Sequence, residues 1–337
     1  DAPLVGGGAG FPGMGRLFGL GTGPNWVSAE YLLWWTRSTQ LPPLAATGTL
    51  DPTGVQGITS QQNLLAGSFG NTLHGGARFG VGHWFGDEQR RGVEARFFFL
   101  FRNGSTFTAD SSQYPTLFLP FTNANTPLGP TGNVVAAPGI ARGSIAVTLE
   151  NSLWGADVNY RRFLAGNACA RIDGLAGYRY LEVDERFRET SVTNVSLPSV
   201  TTPVFTTGAF GVVTQTGTTT TVGTLNAAGL SIPSGSRITV DDQFRTRNQF
   251  NGGQVGLRGE FRRGMFLLNT TGKLAFGHMH QVFEITGYTD IARGSAAVAA
   301  GGTPVTGRAV GGILANGANI GRYNHDEFAL IPELTAN

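Results

Sequence analysis

Two histidines separated by one residue, in the stretch GHMHQVF, share a face if the chain there is extended, because side chains alternate sides along a strand. His278 and His280 could then offer two nitrogen ligands to a metal ion, but two ligands do not complete a site, and the expectation is no metal and no cofactor. Asp241 and Asp242 adjoin the end of a long segment and could serve hydrolysis only beside a suitably spaced histidine, which is not visible. The sequence has no GxSxG, HExxH, P-loop or CxxC pattern, and the glycine-rich stretch Gly6 to Gly10 is not followed by the strand and helix a nucleotide-binding turn needs. Cys169 is the only cysteine; no disulfide can form within the chain. His74, His83 and His325 are scattered polar residues. No catalytic residue is expected, and the chain is not expected to be an enzyme.

The charges that do recur regularly belong to a different pattern. Glu30, Glu94, Asp157, Asp173 and Glu260, and Arg78, Arg96, Arg161, Arg179, Arg258 and Lys273, each sit in an extended stretch whose alternate residues are apolar. In NWVSAEYLLWW, Val27, Ala29, Tyr31, Leu33 and Trp35 oppose Ser28 and Glu30. In GVEARFFFLFR, Val93, Ala95, Phe97, Phe99 and Phe101 oppose Glu94 and Arg96. SLWGADVNYRR, ARIDGLAGYRYLEVD, GGQVGLRGEF and MFLLNTTGKLAF repeat the design, which is that of half-buried strands. With five acids opposite six bases, the charged faces are expected to meet in a lumen that is either a salt-bridged interior or a narrow passage of mixed charge.

Composition decides what such strands are embedded in. Of 337 residues, 14% are charged, with 51 glycines, 23 phenylalanines and a net charge of +2, against about 25% charge in ordinary soluble domains. Mean hydropathy is −0.03, and no run approaches the ~18–20 apolar residues of a membrane-spanning helix. A net charge of +2 without an extended Lys/Arg patch gives no support for a nucleic-acid partner. Connections alternate between tight turns, near 86–90, 163–169 and 262–264, and long segments at 38–70, 103–143, 186–241 and 286–324. That is the asymmetry of an outer-membrane barrel. Each tight turn carries an arginine doublet beside aromatics, so Trp84, Phe85, Arg90, Arg91, Tyr160, Arg162, Phe163, Phe261, Arg262 and Arg263 are expected at one membrane interface, and Trp34 and Trp35 at the other. The apolar parity switches around Ser144 to Ser152, which predicts a bulge there.

The blocks AEYLLWWTRSTQLPPLAATG (29–48), LWGADVNYRR (153–162), RIDGLAGYRYLEVDE (171–185), RNQFNGGQVGLRGEFRRG (247–264) and EFALIPEL (327–334) resemble the signature blocks of the putative beta barrel porin-7 family. The resemblance implies an all-β, antiparallel transmembrane β-barrel in the outer membrane of Gram-negative bacteria. Eight strands are visible and about ten are expected in the complete barrel, with further C-terminal strands expected beyond the given residues, after a glycine-rich N-terminal segment over 1–24 and a barrel over 25–337. The expected function is porin-like passive transport of small polar solutes or ions. The alternative is a structural protein with a salt-bridge-filled barrel as anchor and loops that build an oligomer or surface array. Expected partners are the lipid bilayer, small solutes or ions and, through the loops, further copies of the chain. The nearly uncharged segment Val204 to Gly235 could extend the barrel, fold back as a plug or pack on a neighbour.

Overall fold

The computed structural model describes residues 16–20, 24–36, 38–50, 58–70, 73–122, 130–198, 200–207, 213–221, 224–227, 230–293 and 307–336. Gly6 to Gly10 and parts of the expected long connections, including 208–212, 222–223 and 228–229 within 204–235, lie outside these. The elements in chain order are β1 (Arg16–Leu20), β2 (Asn25–Trp35), β3 (Thr39–Leu50), β4 (Ile58–Phe69), β5 (Leu73–Phe85), β6 (Arg91–Asp110), β7 (Leu117–Thr122), β8 (Pro130–Ala136), β9 (Ala141–Gly166), β10 (Ala170–Val195), β11 (Val200–Thr207), β12 (Val213–Thr221), β13 (Thr224–Ala227), β14 (Leu230–Pro233), β15 (Arg237–Arg263), β16 (Phe266–Ala292), β17 (Gly307–Val310) and β18 (Gly321–Ala336). The fold is all-β and antiparallel.

One sheet runs in the order β1-β2-β5-β6-β9-β10-β15-β16, with β17 and β18 both on the far edge of β16. Its long members β2, β5, β6, β9, β10, β15, β16 and β18 correspond to the eight strands read from the alternation. The sheet is rolled. β6 and β15 are three steps apart along it, roughly 14 Å on a flat surface at ~4.8 Å per step, yet Arg258 Nη1 lies 3.2 Å from Glu94 Oε2. Lys273 on β16 reaches Asp157 on β9, also three steps away, at 3.1 Å. Residues of β2 and of β18, at opposite ends of the sheet, line one shared cavity.

The wall changes character along its length. In the segment next to the tight turns the outer face is apolar and exposed, with Phe79, Val81, Val93, Phe97, Val158, Ile172, Tyr178, Val255, Leu257 and Leu274 uncovered, while Glu94, Asp157, Asp173, Arg258 and Lys273 are buried within. The outer face of β10 stays apolar from Ile172 to Tyr180 and then reads Glu182, Asp184, Arg186, Arg188. Eight residue steps of ~3.3 Å at a ~40° tilt span about 20 Å, close to the ~25 Å apolar band of outer-membrane barrels. Beyond that level Ile145 and Val147 are buried inside β9, and Thr148 and Glu150 alternate with them on the outside.

This inversion replaces the bulge expected at Ser144 to Ser152. The β9–β10 register runs unbroken from Ala141 to Phe163, and the irregularity lies in β6, between Leu100 and Asn103. The apolar parity changes because the surroundings of a continuous strand change. The long connections also shrink, since 103–110, 141–143, 186–195, 237–241 and 286–292 are strand, carrying the wall past the apolar band. Between 39 and 136, a separate sheet in the order β4-β3-β7-β8 is inserted.

Rolling so tightly requires close backbone approach. Gly252 and Gly277 are register partners on the inner face of β15 and β16, and a Cβ on Gly277 would overlap the Asn251 carbonyl oxygen and the Gly252 Cα. Gly277→Val should therefore cost about 1–3 kcal/mol or more, read as a lower urea midpoint for unfolding of the detergent-folded chain. An unchanged midpoint would contradict the close approach.

Candidate functional site in the barrel interior

All eleven charged residues expected inward are inside, and they form ion pairs. Glu94, fully buried, is shared by three guanidinium groups: Arg96 at 3.2 Å, Arg258 at 3.2 Å and Arg161 at 3.6 Å. Arg161 also bridges to Asp173 and, at 3.5 Å, to Glu260. Glu260 accepts a second contact from Arg258 at 3.6 Å. Lys273 pairs with Asp157, and Arg78 with Glu30 at 3.5 Å. Asn159 stitches the acids together, donating to Glu94 at 3.4 Å and to Asp157, while Gln254 donates to Asn159. Two further charges complete the set: Arg171 on Asp173 at 3.0 Å, and Glu333 on Arg179. Arg171 has the parity of Asp173, and Glu333 lies opposite the Phe328–Leu330–Leu334 row, so the same alternation could have found both.

Three residues expected at membrane interfaces, Trp34, Trp84 and Phe163, face inward, Phe163 as the register partner of Asp173 with Arg171 over its ring at 5.4 Å. Trp84 is 9% exposed, with the guanidinium carbons of Arg161 and Arg171 4.5 and 4.6 Å from its ring centre; it lies beneath the charge network at the tight-turn end. Trp34 packs on Phe98, ring centres 5.2 Å apart. The reason is strict alternation, since neighbours in a strand cannot share a face: Trp35 and Phe85 point out, exposed 75% and 50%, so Trp34 and Trp84 point in. Among the remaining interface candidates, Tyr160 and Phe261 are exposed apolar residues, Arg91, Arg162, Arg262 and Arg263 are exposed, and Arg90 caps the Phe163 ring at 5.6 Å.

Above the charges lies an apolar layer of Leu32, Phe98 and Leu100, with Trp34, Leu153 and Leu181 packed against it. Above that sits the inserted sheet: Leu44, Ala45, Leu65, Leu117, Leu119, Val135 and Ala136 make one core with Ala109, Ile145 and Val147 of the barrel wall. Ile313 and Leu314 of the segment before β18 pack on the same core. Their backbone is fixed by Asp242, whose carboxylate accepts from the N–H groups of Ile313, Leu314 and Ala315 at 3.0, 3.1 and 3.0 Å. Asp241, its neighbour, faces out and pairs with Arg188 at 2.8 Å. The aspartate doublet is thus a loop anchor and a buried carboxylate paired with a half-exposed arginine. A cavity of about 20 Å³ lined by Glu30, Arg78, Arg96, Arg258 and Thr271 lies beside the charges, space for roughly one water.

An exposed apolar belt outside, paired charge inside, tight turns at one end and structured connections at the other define a transmembrane β-barrel of the outer-membrane type. The family model described as putative beta barrel porin-7 matches residues 26–219 and 218–337, and the chain belongs to that family. No curated protein and no solved structure gives a significant match.

Two outcomes are expected from this geometry. Glu94→Gln leaves three buried guanidinium groups without their shared counter-charge and should cost about 3–5 kcal/mol, measured by chemical unfolding in detergent; a loss under ~1 kcal/mol would mean the arginines re-pair. Glu189, the register partner of Asp242, is held up at about 8, first by burial and then by Asp242. A carboxyl whose folded value exceeds its unfolded value of ~4.3 favours the folded state below that value and loses this stabilisation as pH rises through 8. Hydrogen exchange at residues 312–316 should accordingly quicken between about pH 5 and 8 in wild type, beyond the intrinsic rate, and lose that excess in Glu189→Gln.

Proposed function

We propose that the chain is an outer-membrane protein whose barrel, built by the sheet from β1 to β18, is a closed anchor, and whose working surface is the structured region beyond the apolar belt. The wall starts inside the expected glycine-rich segment over 1–24 and not at residue 25, because β1 (Arg16–Leu20) pairs with β2. The observation that carries this reading is the stack inside the wall: paired charges, with a cavity of about 20 Å³ beside them, then the Leu32–Phe98–Leu100 layer, then the inserted sheet. A hydrated ion cannot pass a layer of packed apolar side chains without displacing them. Six of the interior charges, Arg161, Arg171, Arg258, Glu94, Asp173 and Glu260, act as a truss across the lumen. The outward Trp35, Phe85, Tyr160 and Phe261 form the belt's aromatic girdle, and Arg91, Arg162, Arg262 and Arg263 reach the headgroups. The region beyond the belt offers neighbouring copies of the chain a surface for assembly.

A second reading, passive passage of small polar solutes or anions, is favoured by the family's description as a porin and by the cavity walled by Arg78, Arg96 and Arg258. In this reading the inserted sheet is the gate. Single-channel recording of the full chain in planar bilayers separates the two. A folded wild type is expected to be silent, with openings appearing when residues 39–69 and 117–136 are replaced by short turns. Discrete, reproducible openings in wild type would overturn the closed-anchor reading and establish the passage.

A further inference from the structure

We propose that His278, His280 and Asp326 form a binding site for one divalent transition-metal ion of the zinc class, on the outer wall at the upper rim of the apolar belt. The pair of histidines lacked a third ligand in the sequence because that ligand comes from another strand. β16 pairs with β18 so that His280 stands directly opposite Asp326, and His278, two residues along on the same face, stands diagonal to it. The result is a single carboxylate oxygen facing two imidazoles: Asp326 Oδ1 lies 2.6 Å from His280 Nδ1 and 3.2 Å from His278 Nε2. All three ligand atoms fall within 4.8 Å of one another, and this is the cluster of this kind found among the described residues.

The spacing suits a small tetrahedral ion. Bonds of ~2.0–2.1 Å place neighbouring ligand atoms about 3.3 Å apart, so the His278–Asp326 distance already fits and His280 has to withdraw by a fraction of an ångström. Two imidazole nitrogens and one carboxylate oxygen are a donor set for Zn²⁺, with Cu²⁺ and Ni²⁺ as competitors, and not for Ca²⁺ or Mg²⁺, which take oxygen. Three protein ligands leave one position open to solvent or to an external anion. Access is free, as the side chains of His278 and Asp326 are 58% and 55% exposed.

The position of the site is as particular as its chemistry. The same row of register partners runs Tyr180–Asn251–His278–Phe328, and the next runs Glu182–Gln249–His280–Asp326. These are the two rows where the outer wall passes from apolar to polar. Below them on the same face lie Phe276, Leu274 and Leu330, all exposed. An ion held here ties β16 to β18 at the level where lipid headgroups begin, and its open position faces them.

The test is titration of the detergent-folded full chain with ZnCl₂ by calorimetry, with Co²⁺ visible absorption as a second reading of coordination geometry. Wild type is expected to take one ion per chain and to give the intense absorption of tetrahedral Co²⁺. His278→Asn/His280→Asn and Asp326→Asn, which keep polar side chains on an exposed face, should each bind at least ~10-fold more weakly, the loss that even an outer-shell partner produces. His325→Ala, on the opposite face of β18, should bind like wild type. Absence of binding to the folded wild type overturns the proposal, and so does wild-type affinity in the double variant or an equal loss in His325→Ala.

Discussion

Hydrocarbon gives a charge no partner, and everything in this chain's inner segment follows from that. A strand crossing lipid must turn its apolar side outward, so whatever alternates with the apolar residues is driven inward, into a volume too small to hold bulk water. Charge there survives only when paired. Glu94 shows the solution in its most concentrated form, with one carboxylate serving Arg96, Arg161 and Arg258 from three strands. The carboxamides of Asn159 and Gln254 fill the gaps between charged groups.

Past the level of Tyr180 the constraint is reversed while the strands continue without a break. Water now lies outside, so Asp184, Arg186, Arg188 and Arg245 occupy the outer face, and the interior needs apolar filling. The inserted sheet of β3, β4, β7 and β8 supplies it. One set of strands therefore builds two different objects, a lipid-facing cylinder around salt bridges and a water-facing cup around a conventional hydrophobic core. Asp242 fastens the second object from the rim by capping three backbone amides.

Much of this could be read from the sequence because period-2 alternation reports a side chain's face directly. It placed Glu94, Asp157, Arg258 and Lys273 inward without any structure, and the tight turns located one end of the barrel. Parity was also the rule that assigning both Trp34 and Trp35 to a membrane interface overlooked, and applying it would have turned Trp34 and Trp84 inward. What alternation lacks is a partner list. It cannot say that Lys273 meets Asp157, or that Asp326 completes the His278–His280 pair, because those meetings depend on register and on how tightly the sheet rolls. Nor could it separate a true bulge in β9 from a change of surroundings, since both invert the apolar parity in the same way.

The cross-lumen pairs also have a kinetic meaning. Glu94 and Arg258 are 164 positions apart in the chain, and Asp157 and Lys273 are 116 apart. Until β15 and β16 arrive, the hairpins made by the first half of the chain hold Asp157 without Lys273 and Glu94 without Arg258, and taking incompletely paired charges out of water is costly. Contacts so remote in sequence also form slowly, because loop closure must precede them. The early hairpins must therefore wait at the aqueous surface, and the charged strands enter the bilayer together, as one concerted event with few stable half-inserted stages.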